Sequence, residues 1–417
     1  MQPNLSSHSP SPQVHCTRLF LQKNGDFFGG ACGTANTPVY FYMKNIKHRG
    51  VASQCKAVEH WVQQTSRVFQ DCLSLPNRRM LGYLSLGIAY AQSCKLSKVA
   101  SKLCFLGSVP TVERRESYFL DNRQVDTQRA MMHLAQWVLR SVLAVKGRVT
   151  LLVDETALQE HLKVMVVALA YRKRALPLAW RCYPEEQYPM RQVDLVMRLL
   201  ELVAPAIPKG SEVLIEADRG IGCSPELMER IQQKGWYYLF RVQGSVKLKL
   251  QDGREVSFRE VISHPGCCLN QELRALKNAG WRPCRAMGYW KVGQKEPWLL
   301  LTNHPEVSTK TYGARYWEEP AFRDFKSNGF NWQQSRVHEP DHAERLWLAI
   351  ALAYVWVISL GTKVLEKIQW LHRVAHGASQ RFSVFRLGIA QLERLLMLNE
   401  GIKEFLKGPQ LKTEFLP

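Results

Sequence analysis

The sequence predicts an α/β fold, with a layer of strands and helices in the middle of the chain and helical regions on both sides. Three observations carry this. From about Ala57 to Lys146 apolar residues recur at helical spacing, with Trp61, Val68, Leu84, Leu86, Leu96, Val99, Leu103, Leu134, Val138 and Leu139 supplying the faces. After Gly147 the pattern changes to strands alternating with helices, and beyond Asn331 it is helical again to about Phe405. The chain has 417 residues, 46% of them hydrophobic, enough for two or three folded domains.

Taken in order, residues 1–44 cluster Ser, Pro, Gly and Asn without a sustained period and predict no packed structure. They read either as a disordered tail or as sequence upstream of the natural start, since Met43 opens the first recognisable pattern. Residues 45–147 form the first helical region. Within it Leu96 to Leu103 reads as a helix, Phe105 to Pro110 as a glycine-containing turn, and Thr111 to Leu120 (TVERRESYFL) as a second helix opened by a Thr cap. This is a helix-turn-helix pattern with Arg114 and Arg115 near the start of its second helix. Basic residues outnumber acidic ones through the region, which makes it the candidate for sequence-specific DNA contact.

Residues 148–330 hold the α/β layer. RVTLLVDET, LKVMVVALAY and ALPLAWRCYP read as three strands, the last two joined by the basic turn Arg172 to Arg174. Arg191 to Leu202 then reads as a helix, Glu212 to Ala217 as a buried strand, Pro225 to Lys234 as a helix and Trp236 to Val242 as a strand. Three strands followed by helix, strand, helix and strand is the order of a ribonuclease-H-like domain, where acids at strand ends meet at the carboxyl edge of the sheet. Asp154 and Asp218 stand at two such ends. A carboxylate beside a buried strand is costly unless it is paired or bound to a metal. With Glu319 downstream, the set contains the three carboxylates that a two-metal phosphoryl-transfer site requires.

Between the second acid and the third, residues of about 243–302 are rich in turns and short strands (VKLKL, EVSFRE, RAMGYW, PWLLLTN) and predict an inserted β subdomain. His264, Cys267, Cys268 and Cys284 lie in it but match no standard zinc spacing. Next comes TYGARYWEEPAFRDFKSNGF, Thr311 to Phe330. Read as one helix, it places Tyr312, Arg315, Glu319 and Lys326 at i, i+3, i+7 and i+14, within one narrow stripe. That face brackets one acid with two cations, an arrangement suited to holding a metal beside a phosphate. Pro320 interrupts it, so a kink or a helix starting at Pro320 is expected. Residues 331–417 complete the chain as a helical region that covers the sheet.

The formal net charge of +20 and pI near 9.6 imply a polyanionic partner, and without a lipid-anchor motif nucleic acid is the reading rather than membrane. Eleven cysteines without framework spacing, and no signal peptide, point to a reducing, cytoplasmic compartment. The longest apolar run, Leu346 to Gly361, is shorter than the ~20 residues of a spanning helix and predicts a buried core helix.

These residues carry a resemblance. VDET around Asp154, EADRGIG around Asp218, and the Tyr312, Arg315, Glu319 and Lys326 signature at its full spacing resemble the DDE transposases of bacterial insertion sequences, in the group named after insertion sequence four. Ser335 to Val337 and RFSVFRLG from Arg381 to Gly388 extend the likeness, which runs from about Ala57 to Leu398. The resemblance implies that Asp154, Asp218 and Glu319 hold two Mg²⁺ ions, with Mn²⁺ as a substitute. It implies that Tyr312, Arg315 and Lys326 grip phosphates at the element's end, and that Trp298 occupies the space of a flipped base. It further implies cleavage at terminal inverted repeats of double-stranded DNA, joining to target DNA in the bacterial cytoplasm, and a homodimer on DNA. Two other readings stay open: a metal-dependent nuclease of the same fold, and a catalytically decayed DNA-binding relative, which Pro320 keeps in view.

Overall fold

A computed structural model of the chain describes residues 55–142, 147–158, 161–366 and 382–402. The tail expected over residues 1–44, Arg381 and the last part of the C-terminal region lie outside the described residues.

Among the described residues five helices come first: α1 (Lys56–Val68), α2 (Leu75–Ala91), α3 (Leu96–Lys102), α4 (Val109–Asp121) and α5 (Thr127–Val142). Proline in the first turn opens α2 and α4, where its missing N–H costs nothing. The indole N–H of Trp61 on α1 donates to the Ser85 hydroxyl on α2 at 2.9 Å, satisfying a polar group that burial would otherwise penalise. The helix-turn-helix pattern is present as α3, a short 3-10 turn (Cys104–Leu106) and α4, which begins two residues earlier than its Thr suggested because Ser108 takes the cap position.

The α/β layer follows the predicted order: β1 (Arg148–Leu158), β2 (Leu162–Tyr171), β3 (Arg174–Pro184), α6 (Gln192–Val203), β4 (Glu212–Ala217), the single turn α7 (Arg219–Gly222), α8 (Pro225–Gln233) and β5 (Tyr237–Arg241). Arg172 and Lys173 both adopt positive φ, 47° and 60°, the backbone a two-residue hairpin turn demands. The inserted stretch forms β6 (Lys247–Lys249), β7 (Glu255–Ser257), α9 (Phe258–Val261), β8 (Cys268–Ala275), β9 (Arg282–Tyr289) and β10 (Trp298–Thr302). It is not a sheet of its own. β10 pairs antiparallel with β5, so one ten-stranded sheet runs β3-β2-β1-β4-β5-β10-β9-β8-β6-β7. In it β1, β4 and β5 are parallel neighbours, and every other pair is antiparallel.

After the sheet come a 3-10 helix (Thr311–Trp317), α10 (Glu318–Phe325), a second 3-10 turn (Trp332–Ser335), α11 (Pro340–Glu366) and α12 (Val384–Met397). By length and composition α11 could cross a membrane, but 89% of its most apolar window is buried inside the protein. It is the core helix that the apolar run predicted, extended at both ends. Trp356 on α11 stacks on Trp61 of α1 at 4.7 Å, and one apolar cluster runs from Ala57 to Ile402. The N-terminal helices therefore share their core with the sheet instead of standing apart from it.

Candidate active site

Parallel pairing of β1 with β4 stops at Val153 opposite Ala217, so Asp154, one residue past that pairing, and Asp218, just beyond β4, emerge side by side where the two strands part. β1 itself does not end at Asp154 as the apolar run suggested but runs on to Leu158 against β2. The backbone orients both acids. The Glu155 N–H donates to Asp154 Oδ1 at 2.9 Å, and the N–H groups of Gly220 and Ile221 donate to Asp218 Oδ1 at 2.9 and 3.3 Å, which makes Asp218 the cap of α7. The GIG sequence after Arg219 serves the same end. A Cβ at Gly222 would lie 2.8 Å from the Arg241 carbonyl, so only glycine lets this turn sit against β5.

Arg315 reaches into the space between the acids. Its Nη2 lies 2.9 Å from Asp154 Oδ2 and 3.6 Å from Asp218 Oδ2, and its Nη1 lies 3.6 Å from Glu319 Oε1. The three acids singled out by sequence thus converge on one guanidinium. The Asp154 side chain is only 13% exposed, and burial pushes it up to about 6, with Arg315 and the Glu155 amide pulling the other way.

The signature stretch is not one helix. Thr311–Trp317 is a 3-10 helix and α10 starts at Glu318, so Lys326 falls at the C-cap with φ −90° and ψ −133°. The single stripe expected for Tyr312, Arg315, Glu319 and Lys326 is therefore broken. Arg315 and Glu319 still meet, but Tyr312 turns inward. It is 1% exposed, packs with Leu214, Leu239, Met287, Leu300 and Val307, and its hydroxyl donates to the Ala217 carbonyl at 3.4 Å. A phenol held in the core cannot grip a phosphate, so the expected DNA contact of Tyr312 is corrected to a packing role. Lys326 is half-buried with no ion pair among the described residues, and burial lowers its pKa. Trp298 is half-buried as well, stacked on Tyr316 at 5.6 Å with the Tyr312 ring at its edge.

Pro320 is explained by the same break. As the third residue of α10 it stands among the first four, whose N–H groups have no partner within a helix, so it neither kinks the helix nor starts it. Pro320→Ala is accordingly expected to change stability by less than about 1 kcal/mol and to leave cleavage within about threefold of wild type. A large gain in thermal stability together with faster cleavage would restore the kink.

Two acids were missed. Glu216 lies opposite Leu152 of β1, two residues before Asp218 and so on the same face of the sheet, and Glu318 opens α10; both are fully buried. No side chain among the described residues hydrogen-bonds either carboxyl, although the Arg315 backbone lies near enough to Glu216 to lower it, and burial raises both well above the usual carboxylate range. A charged residue inside the apolar run of β4 was the available signal for Glu216. For Glu318 there was none, because the Glu318–Glu319 doublet offers two carboxylates and only the 3-10 geometry decides which one turns inward.

The remaining predicted residues lie outside this cleft. Arg114 and Arg115 are exposed on α4, where Arg114 donates to the Tyr118 hydroxyl at 2.7 Å and Arg115 to the Leu106 carbonyl at 3.2 Å. Cys267 lies 3.4 Å from the His264 ring, but no three metal-ligating side chains gather there or anywhere else among the described residues. At the Asp154 and Asp218 cleft the donor set nonetheless fits a hard divalent cation, since carboxylate oxygens are the ligands such ions take and the two acids share one mouth. Arg315 stands between them where a closed ligand group would form.

The model of the family described as "Transposase DDE domain" matches residues 148–356, half of the chain. No curated protein sequence matches significantly. Among solved structures, the C-terminal lobe of a budding yeast Argonaute aligns over 71% of this chain and 66% of that chain, at 11% identity and a TM-score of 0.21, too low to carry an argument. The matched residues contain Asp154, Asp218, Arg315 and Glu319, the whole of the cleft described above, and the chain belongs to the DDE transposase family of metal-dependent enzymes that cut DNA.

Proposed function

We propose that this chain is an insertion-sequence transposase of the insertion-sequence-four-like group, built on a ribonuclease-H-like domain, which cuts at terminal inverted repeats and joins the ends to target DNA. The observation that carries the reading is the meeting of Asp154, Asp218 and Glu319 on Arg315 where the parallel pairing of β1 and β4 ends. The β3-β2-β1-β4-β5 order with parallel β1, β4 and β5 supports the fold assignment.

In this reading Asp154, Asp218 and Glu319 hold two Mg²⁺ ions, or Mn²⁺ in their place. Such ions, when bound by these three carboxylates, would supply Lewis-acid activation of a water or 3′-hydroxyl and charge neutralisation at the leaving oxygen. The chain's own groups supply the rest. Backbone N–H groups lock one oxygen of each aspartate, Arg315 offers a fork of donors to a phosphate, and Lys326 offers a point charge. Trp298, stacked on Tyr316, would take a base lifted from the duplex. Residues 45–147 would recognise the repeat through Arg114 and Arg115, while the C-terminal helices brace the catalytic domain. The protein would act as a homodimer in the bacterial cytoplasm, since two element ends must be brought together. Lys95, Arg336 and His338 with Gln333 and Gln334 line a pocket of about 430 Å³ with no acid among its described lining residues, further support for a polyanion along this surface.

Incubating the protein with its own terminal repeats, Mg²⁺ and a target duplex tests the reading. Nicked and joined products are expected, whereas nicking without joining would make it a nuclease. With a net charge of +20, affinity for any duplex should fall steeply with salt, and Arg114→Ala and Arg115→Ala should each erode preference for the repeat. Equal losses on specific and random duplexes would reduce both to phosphate contacts.

A further inference from the structure

Each catalytic aspartate has one oxygen already committed to the backbone: Asp154 Oδ1 to the Glu155 N–H, and Asp218 Oδ1 to the N–H groups of Gly220 and Ile221. The other oxygen of each, Oδ2, faces Nη2 of Arg315, and Nη1 faces Glu319 Oε1. The guanidinium therefore sits on the very oxygens that a divalent cation must take. Arg315 is only 12% exposed, and its Nε has no hydrogen-bond partner among the described residues, so this seat leaves one buried donor unmet. Arginine cannot relieve a clash with an arriving cation by losing its proton, so it has to move.

We propose that Arg315 is a built-in competitor of the catalytic metal, and that its departure to a DNA phosphate couples metal binding to DNA binding. The inference rests on the reading of Asp154, Asp218 and Glu319 as metal ligands. A phosphate offers the guanidinium a seat that it can occupy by a bidentate fork. Metal and DNA then drive the same movement, so each must tighten the other by the same factor. Without DNA the displaced guanidinium has no equivalent partner, and the metal binds weakly. A reaction that needs both ligands is thereby held back until the duplex is in place.

The test is Mn²⁺ binding to the full-length chain by titration calorimetry, with and without a duplex lacking terminal repeats, at a temperature where no cleavage occurs. Without DNA, Arg315→Ala should bind Mn²⁺ about tenfold tighter than wild type, and the duplex should tighten wild type by a similar factor but the variant by less than about twofold. Arg315→Gln, which keeps side-chain bulk, should follow Arg315→Ala and covers the case in which the alanine variant fails to fold. Binding in every sample should be lost with Asp154→Asn. If Asp154-dependent binding is present and neither Arg315 variant tightens it, the competitor role is overturned while the metal site stands. If no Asp154-dependent binding occurs in any protein, both the competitor role and the catalytic reading fall.

Discussion

Asp154→Asn is expected to lower strand cleavage by at least about a hundredfold while leaving duplex affinity within about threefold of wild type. The substitution keeps the shape of a side chain that is 13% exposed and keeps the oxygen that can accept from the Glu155 N–H, so the fold has no reason to change. It removes the charge for which burial has been imposed. A carboxyl whose pKa burial has pushed up to about 6 gains most from a neighbouring cation and loses most when it cannot ionise. On the proposed reading of Asp154 as a metal ligand, its loss takes away stabilisation that develops at the reacting phosphate, on the order of several kcal/mol, whereas phosphate contacts far from the cleft are untouched. The same group sets a pH response. Protonating Asp154 removes the charge that attracts the cation, so at subsaturating Mg²⁺ cleavage should decline as pH falls through about 6 and recover when Mg²⁺ is raised. A variant that keeps more than about a tenth of wild-type cleavage would remove Asp154 from the catalytic set.

Much of this cleft was legible in the sequence because apolar runs stop where a strand leaves the core. The run before Asp218 marked the true end of β4, whereas the run before Asp154 marked only the end of its parallel pairing with β4, β1 itself running on to Leu158, and the order of strands and helices placed the two acids side by side. Two things were not legible, for different physical reasons. A 3.6-residue period can be written for any stretch of mixed charge, and nothing in the Thr311 to Phe330 pattern shows that its first seven residues wind as a 3-10 helix. The tighter turn buries Tyr312 and Glu318 instead of aligning Tyr312 with Glu319. The strand β8 went unread because Cys268–Ala275 exposes every second residue and carries no β-branched or aromatic residue, so its place in the sheet comes from pairing with β9. The insertion likewise looked separate because sequence spacing cannot reveal that β10 returns to pair with β5.

The second large effect is expected far from the acids, where α11 and α12 cross. A Cβ on Gly388 would lie 1.9 Å from the Val357 carbonyl oxygen, and one on Gly361 would lie 1.8 Å from the Val384 carbonyl oxygen. Both obstacles are backbone, which cannot swing aside as a side-chain tip can. In an ordinary exposed helix Gly→Ala stabilises by about 1 kcal/mol, so Gly388→Ala should invert that sign and destabilise by about 1–3 kcal/mol as the helices are forced apart. The consequence should reach the catalytic side. Arg386, on the same helix, donates from Nη2 to the Asn328 carbonyl at 2.6 Å, and Phe385 packs on Phe330 at 5.3 Å, so α12 clamps the loop that follows Lys326. Shifting α12 should loosen that loop and weaken the DNA contact proposed for Lys326 while leaving the Asp154 and Asp218 pair in register on the sheet. Thermal unfolding and duplex affinity should therefore fall together in Gly388→Ala. Gly313→Ala supplies the control, since a Cβ there meets nothing within 4 Å, and it should be neutral in both measurements. An alanine at 388 that leaves the melting temperature unchanged would mean that the helices can separate without cost, and that α12 does not hold the loop.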